Sequence, residues 1–212
     1  MSSHRWDAVI FDYGRVLSLA PSQRELQEFA LLVGVTEPPF FDIYSATRLE
    51  YDAGRVDFRQ HWQAFAASAA VELRPAQVER IAGMETLMWL RVNPAMLALA
   101  RDIKSAGVGI AILSNIPHDL LAEVRKFNWL DEFEVKIWSC ELGILKPDPA
   151  IYRACLDALG CPAGRTLFFD DRPDNVRGAC ELGMEGHLFE SAERSRAIVR
   201  AGLDGGQQSV FS

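Results

Sequence analysis

Apolar residues along the chain follow two patterns. Short unbroken runs occur at Ala8-Val9-Ile10-Phe11, Val108-Gly109-Ile110-Ala111-Ile112-Leu113 and Thr166-Leu167-Phe168-Phe169. Each is bounded by polar or turn-forming residues and reads as a buried strand. From about Ala20 to Leu90 no convincing strand appears, and apolar residues recur at helical spacing instead. Ser22 can cap a helix carrying Leu26, Phe29, Ala30 and Val33, closed by Gly34. A second helical region runs from about Phe40 to Ala53 and stops at Gly54. Asp57 can cap a third, with Trp62, Phe65 and Ala66 on one face, and Pro75 opens a fourth with Val78, Ile81 and Met84.

Beyond Leu90 helices and strands alternate. Asn93-Pro94 starts a helix ending at Gly107, and another follows the second strand from His118 to about Phe127. A short strand is expected around Phe133 to Trp138, then a helix opened by Asp148-Pro149 and closed by Gly160, the expected Pro-in, Gly-out punctuation. A helix closed by Gly183 and a last strand from Gly186 to Phe189 complete the series. The Gly-Gln-rich tail beyond Gly202 is expected to fray. Such alternation implies an α/β fold around a parallel sheet.

In such sheets ligands bind outside the carboxyl ends of the strands. The first strand ends at Asp12, followed by Tyr13-Gly14-Arg15, and the second at Ser114-Asn115. Lys146 follows within Leu145-Lys146-Pro147-Asp148-Pro149, and the next strand ends in Asp170-Asp171-Arg172-Pro173-Asp174-Asn175. Each group has a plain structural alternative: turn former, helix cap or solvated loop lysine. Two adjacent carboxylates at a buried strand end repel, however, and want a cation or a lysine.

In order and spacing the four groups resemble the motifs of the haloacid dehalogenase-like hydrolase superfamily, over Asp7 to about Phe189. The resemblance implies a Rossmann-like parallel sheet of order 5-4-1-2-3 with an inserted helical cap. Residues 1–18 and 91–212 would form the core domain and residues 19–90 the cap, a lid that excludes water and shapes the substrate pocket. Asp12 would act as nucleophile on phosphorus, forming an aspartyl-phosphate; its carboxylate needs no base to activate it. Asp12, Asp170, Asp171 and the backbone carbonyl of Gly14 would hold Mg²⁺, which suits a few carboxylates completed by water and phosphate oxygens. Ser114 and Asn115 would donate to the transferring phosphoryl group, and Lys146 would neutralise both Asp12 and the phosphate.

One position departs from the pattern. Most phosphatases of the superfamily carry a second Asp two residues after the nucleophile as general acid and base, where this chain has Gly14. Such a loss costs about 10²–10⁴ in rate unless the leaving group is good or another acid substitutes. The acidic motif D-D-x-x-x-N and the lysine motif Gly143-Ile144-Leu145-Lys146-Pro147 resemble a glycine-bearing branch, the α-D-glucose-1-phosphate phosphatases and the phosphatase domain of epoxide hydrolases. A sugar 1-phosphate leaves through an acidic anomeric hydroxyl and depends less on the missing acid. Gly14 itself could serve a φ that an Asp adopts only at a cost. His118 is a candidate substitute acid, and Arg15 could contact a substrate phosphate or carboxylate or be solvated. Asp174 and Asn175 would steady the acidic loop and orient Lys146, with helix capping the alternative for Asp174. Phe40, Phe41, Tyr44 and Trp62 divide between cap core and pocket rim.

Composition narrows the classes. The 212 residues are 49% hydrophobic with a formal net charge of −7, which suits one α/β domain with an insertion and argues against a nucleic-acid partner. No run approaches the ~20 apolar residues of a membrane span, and no apolar signal core precedes Asp7. The cysteines form no CxxC pair; Cys155 and Cys180 fall in expected helices, as buried free thiols. A cytoplasmic enzyme acting on a small phosphorylated molecule is the leading expectation. A metal-free 2-haloacid dehalogenase, with Asp12 attacking carbon, is the alternative, and a weak relative that binds phosphorylated ligands or another protein is the third.

Overall fold

The computed structural model describes residues 4–35 and 39–204. One parallel sheet contains β1 (Ala8–Phe11), β2 (Gly109–Ser114), β3 (Val135–Trp138), β4 (Thr166–Asp170) and β5 (Glu185–Leu188), in the order β3-β2-β1-β4-β5. Read from the other edge, this is the expected order 5-4-1-2-3. The strand side chains alternate between two buried faces, which explains the unbroken apolar runs. Val9, Phe11, Ile110, Ile112, Leu167 and Phe169 pack on one side with α5 (Pro94–Ser105), α6 (His118–Val124) and α10 (Ala192–Asp204). Ile10, Ala111, Leu113 and Phe168 pack on the other, against α8 (Pro149–Leu159) and α9 (Pro173–Glu181).

Four helices separate β1 from the rest of the sheet: α1 (Gln23–Val33), α2 (Pro39–Asp52), α3 (Phe58–Ala69) and α4 (Pro75–Trp89). Ser22 and Asp57 close capping boxes with Glu25 and Gln60, so local chemistry fixes where two of them begin. Their apolar faces meet in a separate core of Phe29, Phe40, Trp62, Phe65 and Ile81. The chain enters and leaves this bundle at one place. Ser18 and Val92 form an antiparallel bridge, the Leu19 N–H donates to the Arg91 carbonyl (2.7 Å), and the Asn93 N–H donates to the Leu17 carbonyl (2.8 Å).

The bundle also docks on the sheet side of the molecule. Tyr51 donates its hydroxyl to Asp119 (3.1 Å), and Ser139, which opens the short α7 (Ser139–Leu142), donates to the Asp52 carbonyl (2.5 Å). Gly54 packs so closely here that a Cβ would lie 2.5 Å from the Cys140 carbonyl oxygen. Its φ of +71° is also one that side chains resist, so two independent constraints select glycine.

The structure corrects four sequence expectations. The helix from His118 ends at Val124, and β3 begins at Val135 rather than Phe133. Aromatic packing claims the residues between: Trp129 stacks on Tyr13 (6.3 Å) and meets Phe133 edge-on (6.0 Å). Cys180 is exposed, because α9 buries Asn175, Gly178 and Ala179 instead. The unforeseen α10 buries Val199 and runs to Asp204, so the tail expected to fray lies, from residue 205, outside the described residues.

Candidate active site

The carboxyl ends of β1, β2 and β4 bring the predicted residues together. Asp12 follows β1 and is buried; its Oδ1 accepts the Tyr13 N–H at 2.7 Å and lies 2.9 Å from the Lys146 ammonium. Its Oδ2 has no hydrogen-bond partner among the described residues. The next five residues form one tight turn, closed by the Ser18 N–H donating to the Tyr13 carbonyl (2.8 Å). Gly14 within it has φ −61° and ψ 126°, angles open to any residue, and a Cβ there would meet only Trp89, at 3.9 Å. The conformational reason considered for Gly14 therefore does not apply. Arg15 is the strained residue, at φ +60°.

Lys146 is the hub. Its ammonium lies 2.6 Å from Asp170 Oδ2 and 2.9 Å from Asp12 Oδ1, and it donates to the Leu113 carbonyl at 2.8 Å. All three ammonium hydrogens are thus used. The lysine loop is itself held by Asn115, whose Oδ1 accepts the Lys146 N–H (2.8 Å) and whose Nδ2 donates to the Lys146 carbonyl (3.0 Å). Only one side-chain donor hydrogen of Asn115 is left for a ligand. Asn175 grips Asp170 with Nδ2 at 3.0 and 3.1 Å from its two oxygens, and the Arg172 N–H donates to Asp170 Oδ1 at 2.8 Å. Asn175 thus orients Lys146 through Asp170. Asp174 is exposed and pairs with Arg177.

Burial pushes the Asp12 carboxyl up to about 7; the Lys146 ammonium opposes this, while the charges of Asp170 and Asp171 add to it. Asp171 is raised for the same two reasons, burial first and then Asp170. Burial pulls Lys146 down, yet the charges of Asp12 and Asp170 outweigh it and hold the ammonium above its ordinary range. Ligand oxygens of Asp12, Asp170 and Asp171 all lie within 4.8 Å of one another. Three carboxylates face one ammonium and, at 3.5 Å from Asp171, the Arg15 guanidinium; negative charge is still in excess, the condition a hard divalent cation relieves.

Asp12, Gly14, Arg15, Asn115, Lys146, Asp171 and Asp174 share the wall of one cavity of about 660 Å³ that reaches from the strand ends into the helical bundle. Ser114 and Asp170 are buried behind that wall. The Ser114 hydroxyl contacts only the Asn115 carbonyl (3.5 Å) among the described residues. Arg15 reaches Asp171 at 3.5 Å. His118 is exposed outside the wall, so it offers no substitute acid there. Phe40 serves both the core of the helical bundle and the wall, Tyr44 lines the wall, Trp62 lies wholly in the bundle core, and the Phe41 side chain falls outside the described residues.

Sequence reasoning missed a half-buried charge cluster in the bundle. Arg48 pairs with Asp52 (2.8 Å) and Glu85, and Tyr44 donates its hydroxyl to Glu85 (2.6 Å). Trp62 donates to the other Glu85 oxygen at 3.3 Å. Arg48 and Asp52 stand four residues apart, a spacing visible in sequence but normally read as a solvated helix pair. Only tertiary packing reveals that it is half-buried against Glu85.

The model of the haloacid dehalogenase-like hydrolase family matches residues 7–183, and the chain belongs to that family. It is 26% identical over 191 residues to the sesquiterpene phosphatase astK of Aspergillus oryzae, covering 87% of this chain and 90% of that one. It is 28% identical over 187 residues to (S)-2-haloacid dehalogenase 4A of Burkholderia cepacia, covering 83% and 79%. Among solved structures, the family enzyme bt-2542 of Bacteroides thetaiotaomicron, in complex with magnesium and inorganic phosphate, superposes with a TM-score of 0.71 at 20% identity. That match covers 87% of this chain and 94% of the other.

Proposed function

We propose that this hydrolase is a Mg²⁺-dependent phosphatase of small phosphorylated metabolites, working through an aspartyl-phosphate on Asp12. The carrying observation is the environment of Asp12: a buried carboxylate on the wall of the cavity, one oxygen fixed by Lys146 and the Tyr13 N–H, the other unbonded. The unbonded oxygen attacks phosphorus and the ester oxygen departs. Water then attacks the same phosphorus, releasing inorganic phosphate and restoring Asp12. Lys146 and the remaining Asn115 donor gather charge on the phosphoryl oxygens. Ser114, buried at the end of β2 with its hydroxyl 3.5 Å from the Asn115 carbonyl, adds a donor to the phosphoryl group.

The metal site of this reading is Asp12, Asp171, Asp170 and the Gly14 carbonyl. The excess carboxylate charge supports it, as does the relative that binds magnesium and inorganic phosphate. Bound there, Mg²⁺ would offset that charge, keep Asp12 ionised and draw the phosphoryl oxygens into line. Residues 19–90 act as the cap, hinged at the paired linkers Leu17–Leu19 and Arg91–Asn93.

With Gly14 in place of an acid and His118 outside the wall, the leaving group departs without protonation by a side chain at residue 14. Esters of acidic hydroxyls, whether a sugar 1-phosphate or an aryl phosphate, suit such a site. No helix among the described residues is long and apolar enough to cross a membrane, and the four cysteines are free, which supports a cytoplasmic setting. Asp12→Asn tests the reading: kcat on an aryl phosphate should fall by about 10⁴ or more with the circular dichroism spectrum retained. Most of the wild-type rate surviving would overturn it. Full activity in excess chelator, with release of halide from a 2-haloacid, would favour the dehalogenase reading that the Burkholderia relative raises.

A further inference from the structure

The two ends of the cavity differ in chemistry. The charged side chains Asp12, Lys146, Asp171, Arg15 and Arg172 belong to the strand-end loops. The organic end is built from Leu26, Phe29, Phe40 and Met88 of the cap, with Leu120 and Leu145 of the core. Four polar side chains of α2, Tyr44, Ser45, Arg48 and Asp52, also reach this wall, and all but Ser45 are engaged. Arg48 grips both oxygens of Asp52 (2.8–3.2 Å) and also pairs with Glu85, while Tyr44 gives its one hydroxyl hydrogen to Glu85. Tyr13 likewise donates its hydroxyl to the Trp89 carbonyl (2.7 Å). Ser45 is the one cap hydroxyl on the wall with no partner among the described residues.

A buried polyhydroxylated ligand needs a partner for each hydroxyl, and a second anionic group needs an uncommitted cation. The cap end supplies almost none of the first. Its only cation among the described residues, Arg48, is already outnumbered by Asp52 and Glu85. We propose that the organic part of the substrate is uncharged and predominantly apolar, an aryl body seated against the cap helices with its phosphate at Asp12. This rests on the phosphatase reading and narrows it, choosing apolar aryl esters over sugar 1-phosphates among good leaving groups. The cavity volume, about 660 Å³, is that of pockets that bury drug-sized ligands.

Matched aryl phosphates test this, because a para-alkyl chain adds apolar surface while scarcely changing the acidity of the phenol. With Mg²⁺, kcat/KM for 4-butylphenyl phosphate should exceed that for phenyl phosphate by about tenfold or more, against a ceiling of about fourfold per fully buried methylene. 4-Carboxyphenyl phosphate and glucose 1-phosphate should both fall below phenyl phosphate. Leu26→Asn and Leu145→Asn, each at a partly exposed position on the wall, should pull the butylphenyl-to-phenyl ratio toward one. A ratio near one in the wild type, or preference for glucose 1-phosphate, overturns the inference and leaves the phosphatase reading standing. No Mg²⁺-dependent turnover of any ester overturns both.

Discussion

Two cations, the buried Lys146 and the half-buried Arg48, each set between two carboxylates, divide this molecule. Lys146 lies between Asp12 and Asp170 at the strand ends, and Arg48 lies between Asp52 and Glu85 in the cap. The charge count is the same, but the chemistry differs. The guanidinium is a planar fork, and both of its partners belong to the cap helices, so the cluster is closed and ties α2 to α4. The ammonium is a compact point charge, and one of its partners, Asp12, keeps an unbonded oxygen on the cavity wall. A third carboxylate, Asp171, stands nearby with only Arg15 at 3.5 Å. The closed cluster builds architecture; the open one carries unspent charge, and that is the condition for a reactive site.

Metal removal should separate the two most sharply. Chelation should abolish turnover and Mg²⁺ restore it. Added to chelated protein at about 100 times its Kd, Mg²⁺ should also raise Tm by about 5–10 °C, the equivalent of about 2.7 kcal/mol. Asp171→Asn should weaken both responses. A Tm response intact in Asp171→Asn would place the cation elsewhere.

Charge deletion comes next. Removing one partner of a buried ion pair costs about 3–5 kcal/mol because the other charge is left uncompensated. Lys146→Met and Arg48→Met should therefore both lower Tm, by about 10 °C at this chain length. Their kinetics should diverge: kcat collapses in Lys146→Met and falls less than about tenfold in Arg48→Met, whose charge is spent inside the cap. Equal kinetic losses would erase the distinction between the clusters.

The smallest effect is expected at Gly14. Its backbone angles accept a side chain and Trp89 leaves room for a Cβ, so Gly14→Asp should fold with a Tm close to wild type. An acid there should accelerate alkyl phosphates by about 10–100-fold while changing aryl phosphates little. No selective gain for the alkyl esters would mean that the site already has an acid, with a cap residue the first to mutate.

The open cluster was far more legible in sequence than the closed one. Strand ends concentrate chemistry, so Asp12 and Asp170-Asp171 could be picked out where apolar runs stop, and Lys146 by its place in the motif order. The strand order came from the resemblance and the structure bears it out. What did not come through was how side chains divide their hydrogen bonds. Asn115 spends both ends of its amide on the Lys146 backbone and keeps one donor hydrogen, a division that a hydroxyl–amide pair at a strand end does not announce. The Arg48 cluster was hidden because its members stand 4 and 37 residues apart and meet only when α2 packs near α4. The strain at Arg15 has no sequence signal either, since any glycine-adjacent residue looks alike in a turn.

The central claim is that Asp12 is covalently phosphorylated during turnover. Acid-quenching the enzyme in mid-turnover of an aryl phosphate with Mg²⁺, followed by mass spectrometry of its peptides, measures this directly. One phosphoryl group should appear on the peptide containing Asp12, vanish as substrate is exhausted, and be absent from Asp12→Asn. Steady turnover with no phosphoryl group on that peptide, or with the group on another residue, would contradict the account.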